Sequence, residues 1–304
     1  MEHLKATETI VDSSLHETKK HGSDGFPFAV YLDDFSHFQN GYICWHWHEE
    51  VQITLIIEGD FTCQIGSEKV ILRPGESIFF NSRVLHQILP NQKNSGKLYS
   101  FIWQGDMLAG NQECDVYRNC IDYLLQSERR YFAFHIDHAN CMQLSNALLR
   151  IVNLMSEKEK FYELRVYNQL SKIWLGLCEC ASDSDLSEHR SSSYAQKIKD
   201  EERVKSALLY MQANYGEDIS LDEIAKAAMT SRSELCKSFR RTLDTSPKEF
   251  LMQYRIRQSL LLLENLNLRI ADISEMVGFS SPSHYGSCFM KYVGCTPLQY
   301  RKNL

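Results

Sequence analysis

The chain has 304 residues, of which 43% are hydrophobic, and its formal net charge is −6. This length accommodates two domains, and the apolar content is sufficient for packed cores. No apolar run approaches the ~20 residues of a membrane span, and the N-terminus lacks the apolar core of a signal peptide. The sequence therefore predicts a cytoplasmic protein rather than a membrane or secreted one.

The first 25 residues are polar, which predicts a flexible arm over residues 1–25. Beyond the arm, several short segments with strand character are separated by turns rich in Gly, Asn and Asp. These segments are Ile53–Ile57, Phe61–Ile65, Lys69–Leu72, Ser77–Phe80 and Lys97–Trp103. Short strands at such regular spacing predict an antiparallel barrel or jelly roll.

Three histidines, His46, His48 and His86, lie before or between these strands. Strand alternation places His46, His48 and Gln52 on one face. Together with Gly59, Pro74-Gly75-Glu76, Phe80, Asn81 and His86, they resemble the two motifs of a cupin barrel. The resemblance implies that this face looks into the barrel. The candidate effector-binding residues are therefore His46, His48, Gln52, Phe80 and His86.

Two other interpretations of the histidines stay open at this point. Metal cupins add a carboxylate, often Glu, to their imidazoles, because divalent ions favour an anionic oxygen ligand. This chain has Gln52 at the expected position, although three His side chains can hold zinc with one open position. We expect a metal-free pocket without a cofactor, and a metal-dependent cupin enzyme is the alternative. The histidines can also simply cap a packed barrel.

Two helical stretches follow the predicted barrel. Apolar residues recur at helical spacing over His138–Met155 and again over Lys158–Cys180. We therefore assign residues 26–181 to one cupin-like domain. The next residues, 182–194, are polar and Ser-rich without periodicity, which predicts an interdomain linker.

The remaining residues, 195–304, contain an internal repeat. Ile224-Ala225 followed by Met229 recurs as Ile273-Ser274 followed by Gly278, and Ser246-Pro247 recurs as Thr296-Pro297. Each copy predicts two short helices joined by a sharp turn, at about 219–243 and 268–293. One continuous helix from Pro247 to about Asn265 joins the copies. This region carries 16 Lys and Arg against 13 Asp and Glu, so it is basic while the rest of the chain is acidic.

Six motifs of this region together resemble the DNA-binding domain of AraC-type transcriptional regulators. They cover Val204–Arg301 with matching order and spacing. They are Asp218–Ala225, Phe239–Arg241, Ser246–Phe250, Tyr254–Ile256, Ile273–Phe279 and Thr296–Arg301. The expected fold class is thus α+β in two domains. A cupin-like antiparallel β-barrel (jelly roll) followed by helices precedes an all-α domain with two helix-turn-helix motifs.

The resemblance implies a transcriptional regulator rather than an enzyme. Its expected partners are double-stranded promoter DNA, RNA polymerase and a second copy of the chain in a homodimer. A small polar effector, for which we expect a sugar, would bind in the barrel, and activation is the expected outcome by family analogy. The alternative function is a metal-dependent cupin enzyme with an accessory DNA-binding domain.

The resemblance also places the DNA contacts on the second helix of each copy. The candidates are Arg232, Ser233, Cys236, Lys237, Arg240, Arg241, Pro282, Ser283, Gly286, Ser287 and Lys291. Lys237 can donate to guanine O6 and N7, whereas the small residues of the second copy cannot reach far into a groove. We therefore expect the first copy to supply most of the sequence discrimination, and the second copy to dock mainly on phosphates.

In AraC-type sensors the helices after the barrel mediate dimerisation. The resemblance therefore implies a dimer interface on Lys158–Cys180, with Leu170, Trp174 and Leu177 as candidate anchors. Packing of the same residues against their own barrel is the alternative.

Overall fold

The computed structural model of the protein describes residues 15–38, 41–66, 68–92, 95–127, 129–138, 140–185 and 192–302. The chain divides into two compact units, an N-terminal unit, His16–Tyr194, and a C-terminal unit, Ala195–Leu304. The predicted arm falls largely on residues 1–14, which lie outside the described residues. No helix in the described part of the chain is both long and apolar enough to cross a bilayer.

The described part of the N-terminal unit contains nine strands. They are β1 (Phe28–Asp34), β2 (Ile43–His46), β3 (Val51–Glu58), β4 (Phe61–Ile65), β5 (Glu68–Leu72), β6 (Ser77–Phe80), β7 (His86–Pro90), β8 (Lys97–Trp103) and β9 (Tyr131–Phe134). The sequence predicted β3, β4, β5, β6 and β8. The sequence did not predict β1, β7 and β9, and it placed the end of β2 in one strand with β3.

The strands form two antiparallel sheets. One has the order β1-β8-β3-β6-β9 and the other β2-β7-β4-β5. The crossovers between non-consecutive strands give the jelly-roll arrangement of a cupin-like barrel. The register places Gln52 opposite Phe80 and Ile102, and His46 opposite His86. Residues from both sheets therefore meet in the barrel interior.

Strand alternation in β3 separates two cores. Ile53 and Leu55 face a core shared with the helices, whereas Ile56 joins an apolar cluster between the sheets with Phe61 and Ile88. Gln52 and Thr54 lie on the same side of β3 as Ile56 and are also buried. The barrel interior thus has an apolar end and a polar end, and the polar end is the candidate site.

Three helices cover the outer face of the larger sheet: α1 (Asp122–Leu125), α2 (Cys141–Glu157) and α3 (Tyr162–Asp185). Leu170, Trp174 and Leu177 of α3 are at most 2% exposed and belong to the core under this sheet. Trp174 Nε1 also donates to the carbonyl of Cys120 at 3.0 Å. The expectation that these three residues anchor a dimer interface is therefore corrected, because their own subunit already covers them.

Helices enter the predicted linker from both sides. Helix α3 continues through Asp185, and α4 begins at Ser192. The predicted linker residues 186–191 lie outside the described residues. The predicted linker, 182–194, thus includes helical residues at both of its ends, because a polar, Ser-rich composition does not by itself prevent helix formation.

The C-terminal unit is all α-helical in its described part, so the fold class predicted from the sequence is confirmed. Its helices are α4 (Ser192–Asn214), α5 (Leu221–Ala227), α6 (Arg232–Leu243), α7 (Pro247–Leu263), α8 (Ile270–Met276), α9 (Pro282–Val293) and α10 (Pro297–Lys302). Helices α5–α6 and α8–α9 are the two helix-turn-helix motifs, and α7 joins them. A capping box between Ser220 and Glu223 begins α5.

Candidate effector pocket and DNA-binding surface

The polar end of the barrel gathers side chains from both sheets. His46 from β2, His86 from β7 and Gln52 from β3 are at most 3% exposed, and His48 is 1% exposed. The ring centroids of His46 and His86 are 4.2 Å apart, and those of His48 and His86 are 5.4 Å apart. Phe80 stacks on His86 at 4.1 Å with an interplanar angle of 17°. The structure thus brings together all five residues that the sequence assigned to an effector.

The route by which they converge differs from the prediction. One continuous strand was expected from His46 to Gln52, but β2 ends at His46 and β3 begins at Val51. These two strands belong to different sheets. The residues between them therefore form the corner between the sheets, and His48 reaches the interior from that corner rather than from a strand.

Two further members of the cluster come from the segment before β1. Glu17 and His21 are 8% and 4% exposed. The Glu17 backbone N–H donates to the carbonyl of Trp47 at 2.8 Å, and His21 Nε2 lies 3.5 Å from the Glu17 carboxylate. This part of the predicted arm is therefore packed on the barrel. Sequence reasoning missed both residues, because no local pattern predicts which surface an arm contacts.

Main-chain carbonyls fix the tautomers of the three barrel histidines. The Nδ1 atoms of His46, His48 and His86 lie 2.9, 3.0 and 2.8 Å from the carbonyl oxygens of Cys44, Glu50 and Val84. Because a carbonyl oxygen only accepts, each Nδ1 carries the hydrogen. The Nε2 atoms are then left to face the interior. The Nε2 atom of His86 is buried and has no hydrogen-bond partner among the described residues.

Burial also determines the charge of this cluster. It lowers the pKa of His46 to about 4, with the Glu17 carboxylate offsetting only part of the effect. Burial, together with the neighbouring His46 and His48, lowers the pKa of His86 well below its ordinary value. Burial would raise the pKa of Glu17, but His21 and the other histidines outweigh it and lower that pKa to about 2. At neutral pH the imidazoles of His46 and His86 are therefore neutral, and the Glu17 carboxylate is anionic.

A short hydrogen-bonded chain crosses the pocket. Gln52 Oε1 lies 2.9 Å from His48 Nε2, and Gln52 Nε2 donates to Thr54 Oγ1 at 2.9 Å. If the amide oxygen and nitrogen are exchanged, Gln52 donates to His48 Nε2 and accepts from Thr54 Oγ1, an assignment that suits a His48 ring with its hydrogen on Nδ1. Thr54 could be found from the sequence, because it follows Gln52 by two positions on the same strand.

Asp33 adds a buried acid to the barrel interior. Its carboxylate accepts from Ser100 Oγ at 2.7 Å, and the residue is 4% exposed. Burial raises the pKa of Asp33 to about 6, against weaker lowering by Ser100 and Lys19. The folded state therefore holds this proton more tightly than the unfolded state does. The associated stability is fully present below the unfolded pKa of 3.8 and is lost as the pH rises through about 6.

We expect Asp33→Asn to stabilise the N-terminal unit at pH 7 by on the order of 2 kcal/mol and to change its stability little at pH 4. Urea unfolding followed by tryptophan fluorescence measures this, because all four Trp residues precede residue 182. Asn keeps an acceptor for Ser100, so loss of the hydrogen bond does not confuse the comparison. An equal effect at both pH values would contradict the assignment.

The candidate DNA-reading helix of the first copy exposes its early positions. Arg232, Ser233 and Lys237 of α6 are exposed, and Cys236 is half-buried. Arg232 pairs with Asp222, and Lys237 Nζ lies 3.9 Å from Glu234. Surface pairs of this kind are weak and exchange readily for a phosphate or a base. Arg240 is 68% exposed and donates to the carbonyl of Asp244 at 3.1 Å.

Arg241 also makes contacts within its own unit. Its Nε and Nη2 donate to the two carboxylate oxygens of Asp200 at 2.7 and 3.0 Å, and Nη2 also contacts Glu234 at 2.9 Å. The Asp200 side chain is 3% exposed. Moving Arg241 to a phosphate would leave a buried carboxylate without its main partner. Arg241 therefore helps to pack α4 against α6. Its side chain is 46% exposed, so its contact with DNA stays a prediction.

The second copy presents a smaller surface. Pro282, Ser283 and Ser287 of α9 are exposed, and Gly286 is half-buried. Ser287 Oγ donates to the carbonyl of Ser283 at 3.0 Å, which keeps this short side chain on the helix. Lys291 Nζ lies 3.0 Å from Glu249 on α7 and is 61% exposed. The second helix thus offers a flat polar face and one long cation.

Comparison with known proteins agrees with this architecture. Residues 224–303 match the helix-turn-helix domain family, and residues 37–100 match the cupin domain family. The HTH-type transcriptional regulator YdeC of Bacillus subtilis is 31% identical over 294 residues, which are 96% of this chain and 98% of that protein. The Msm operon regulatory protein of Streptococcus mutans is 28% identical over 68% of each chain.

A solved AraC-type DNA-binding domain protein from Chromobacterium violaceum is 30% identical, with a TM-score of 0.32, and covers 33% of this chain and 89% of its own. The near full-length similarity to a transcriptional regulator, with both domain families in the same order, identifies the class. The chain belongs to the AraC-type transcriptional regulators, with a cupin-like domain before the DNA-binding helix-turn-helix pair.

Proposed function

We propose that this regulator binds a small polar effector, a sugar or a related polyol, at the polar end of its barrel. Binding of the effector would change how a homodimer presents its helix-turn-helix motifs to promoter DNA. The outcome would be activation through RNA polymerase. The observation that carries this proposal is the buried cluster of His46, His48, Gln52 and His86. A pocket with a few convergent polar groups and an apolar wall is typical of small-molecule sites.

The sugar class is supported by chemistry and by relatives. Imidazole, amide and hydroxyl groups can each donate or accept, which suits the hydroxyls of a polyol, and Phe80 supplies an apolar wall. The lactose operon transcription activator of Staphylococcus xylosus is 32% identical over 33% of this chain and 36% of its own. The raffinose operon regulatory protein RafR of Pediococcus pentosaceus is 29% identical over 36% of this chain and 39% of its own.

DNA recognition would use the two second helices in successive major grooves. Helix α7 has 17 residues and joins the two motifs as a rigid spacer of about 25 Å. Successive grooves on one face of B-DNA are ~34 Å apart. We assign sequence discrimination mainly to Ser233, Cys236 and Lys237, and backbone docking to the second helix with Lys291.

Dimerisation stays assigned to α2 and α3 but moves to their exposed apolar residues. Leu164 and Leu175 of α3 are 71% and 60% exposed, and Met142 and Leu149 of α2 are 75% and 40% exposed. A spacing of eleven or seven residues places each pair on one side of its helix. Sedimentation velocity of the full chain tests this, and a monomer at micromolar concentration would overturn it.

The sequence alternative, a metal-dependent cupin enzyme with an accessory DNA-binding domain, is not adopted. Two relatives that match over two thirds or more of their length are a transcriptional regulator and an operon regulatory protein.

A gel-shift titration on the DNA upstream of the protein's own gene, with and without a panel of sugars, tests the proposal. We expect one sugar class to change the affinity for DNA at least tenfold. Gln52→Met should remove this response while leaving DNA binding in the absence of sugar unchanged, because it removes the amide at similar volume. Gln126→Met, at an exposed position outside the pocket, is the matched control. A flat response to every sugar would exclude the proposed effector class.

A further inference from the structure

A groove of about 420 Å³ lies between α2 and α3 of the N-terminal unit. This volume falls within the range of small-molecule sites. The connection from Glu157 to Tyr162 is short, so the two helices are antiparallel neighbours. Ala147 and Gly176 carry little or no side chain and leave space between the helices. A Cβ added at Gly176 would meet no atom within 4 Å.

The floor of the groove is apolar. Leu144 of α2 and Ile173 and Leu177 of α3 line it and are at most 8% exposed. The buried ring of Phe134, at the end of β9, also lines it. Water leaves such a surface readily when an aliphatic or aromatic group covers it. The floor therefore suits the apolar body of a ligand.

Two cations stand on opposite walls at one end of the groove. Arg150 is on α2 and Lys172 is on α3, and both are exposed. In an antiparallel pair the later half of α2 lies opposite the earlier half of α3, so the two cations share one end. Neither forms an ion pair or a hydrogen bond with another described residue. Glu179, the acidic residue of the lining, lies towards the other end with Asn140.

We propose that this groove binds a small organic anion with an apolar body, such as an aromatic carboxylate. The apolar part would lie on Leu144, Ile173 and Leu177, and the anionic group would lie between Arg150 and Lys172. Guanidinium and ammonium groups both donate strong hydrogen bonds to carboxylate oxygens. A neutral sugar offers these cations no charge, so this ligand is a different compound from the effector proposed for the barrel.

The groove adjoins two parts of the unit that the proposed function uses. Leu175 on its wall also belongs to the proposed dimer face. Phe134 on its floor lies opposite Ser77 of β6, the strand that carries Phe80. A bound anion would therefore contact the dimer face and the outer side of the sheet whose inner side lines the barrel. Binding of the anion requires neither sugar nor DNA, so it is measured independently of the proposed function.

Titration of the full chain with anilinonaphthalene sulfonate, followed by the fluorescence of the dye, is the direct test. Phenylnaphthylamine has the same aromatic body without the sulfonate and is the matched neutral dye. We expect one equivalent of the sulfonate to bind. Arg150→Gln and Lys172→Gln should each weaken its binding about tenfold and leave the affinity for the neutral dye unchanged. Arg165→Gln, which changes an exposed cation of α3 outside the groove, should leave the binding of both dyes unchanged.

Gly176→Leu should abolish the binding of both dyes, because the new side chain fills the groove. Equal affinity of this variant and the unchanged chain for the sulfonate would overturn the proposal, as would an equal loss in Arg165→Gln. Far-UV circular dichroism shows whether each variant is folded. If Gly176→Leu does not fold, unchanged sulfonate binding by a chain that combines Arg150→Gln with Lys172→Gln would overturn the proposal.

Protein concentration separates a small molecule from a second copy of the chain as the occupant. An affinity for the sulfonate that falls as the protein concentration rises would show that a second copy fills the groove, and would overturn the assignment. A chain that binds the sulfonate but answers no sugar in the gel shift would keep this site and remove the proposed effector class. A sugar response without binding of the sulfonate would do the reverse.

Discussion

Gly278→Ala is expected to destabilise the C-terminal unit by about 4 kcal/mol and to abolish binding to promoter DNA. Gly278 has φ +81°, and an added Cβ would lie 2.3 Å from the Tyr215 carbonyl oxygen and 2.8 Å from Arg255 Nη2. The left-handed conformation alone costs a side chain about 1–2 kcal/mol. The clash adds about 1–3 kcal/mol, because backbone atoms must move.

The clash also affects Arg255, a buried cation. Arg255 is 5% exposed, and it donates to the carbonyls of Tyr215 at 2.8 Å and Glu217 at 2.6 Å. Displacing the Tyr215 carbonyl would weaken the hydrogen bonds of a charge that has no access to water. At Gly278, the turn of the second motif is therefore coupled to the segment before α5 and to helix α7.

Gly286→Ala is the matched control for this substitution. Gly286 lies inside α9, and an added Cβ meets nothing within 4 Å. Ala is favoured over Gly in a helix, so this variant should gain about 0.5–1 kcal/mol. Far-UV circular dichroism on urea unfolding measures both variants, and a gel shift measures Gly278→Ala. Tryptophan fluorescence checks that the N-terminal unit is unchanged. A Gly278→Ala variant as stable as the unchanged chain would contradict the geometry.

The internal repeat shows what the sequence could and could not predict. The alignment of Gly278 with Met229 predicted a sharp turn in both copies, and both residues have positive φ, +81° and +47°. Met229 is 91% exposed, so only the intrinsic conformational cost remains there. The contacts of Gly278 with Tyr215 and Arg255 join residues distant in sequence, and periodicity contains no information about them.

The barrel shows the same difference between what local patterns predict and what contacts between distant residues decide. The resemblance to the cupin motifs predicted that His46, His48, Gln52 and His86 would meet. Alternation along one strand did not predict how they meet, because β2 ends at His46 and β3 begins at Val51. Glu17 belongs to the cluster because the arm contacts the barrel, and no sequence pattern in the arm predicts that contact. The apolar stripe of α3 likewise predicted a buried face correctly. It could not say whether the barrel or a second subunit covers that face.

Arg241→Ala is expected to destabilise the C-terminal unit by about 3 kcal/mol, because it leaves Asp200 buried with only partial compensation. Burial raises the pKa of Asp200, but hydrogen bonds from Arg241, Ser238 and Gln196 outweigh it and hold that pKa below its ordinary value. Without Arg241, the nearest remaining cation is Arg203, at 3.5 Å. Urea unfolding followed by far-UV circular dichroism measures the loss.

Lys237→Ala is the matched comparison on the same helix. Lys237 is 62% exposed and its nearest carboxylate is 3.9 Å away, so its removal should change stability by less than about 0.5 kcal/mol. It should instead weaken binding to the cognate site by about 1–3 kcal/mol and binding to a scrambled site much less. Equal loss on both sites would make Lys237 a phosphate contact. A fully stable Arg241→Ala variant that fails to bind DNA would make Arg241 a direct DNA contact rather than a packing residue, because only a direct contact could then explain the loss.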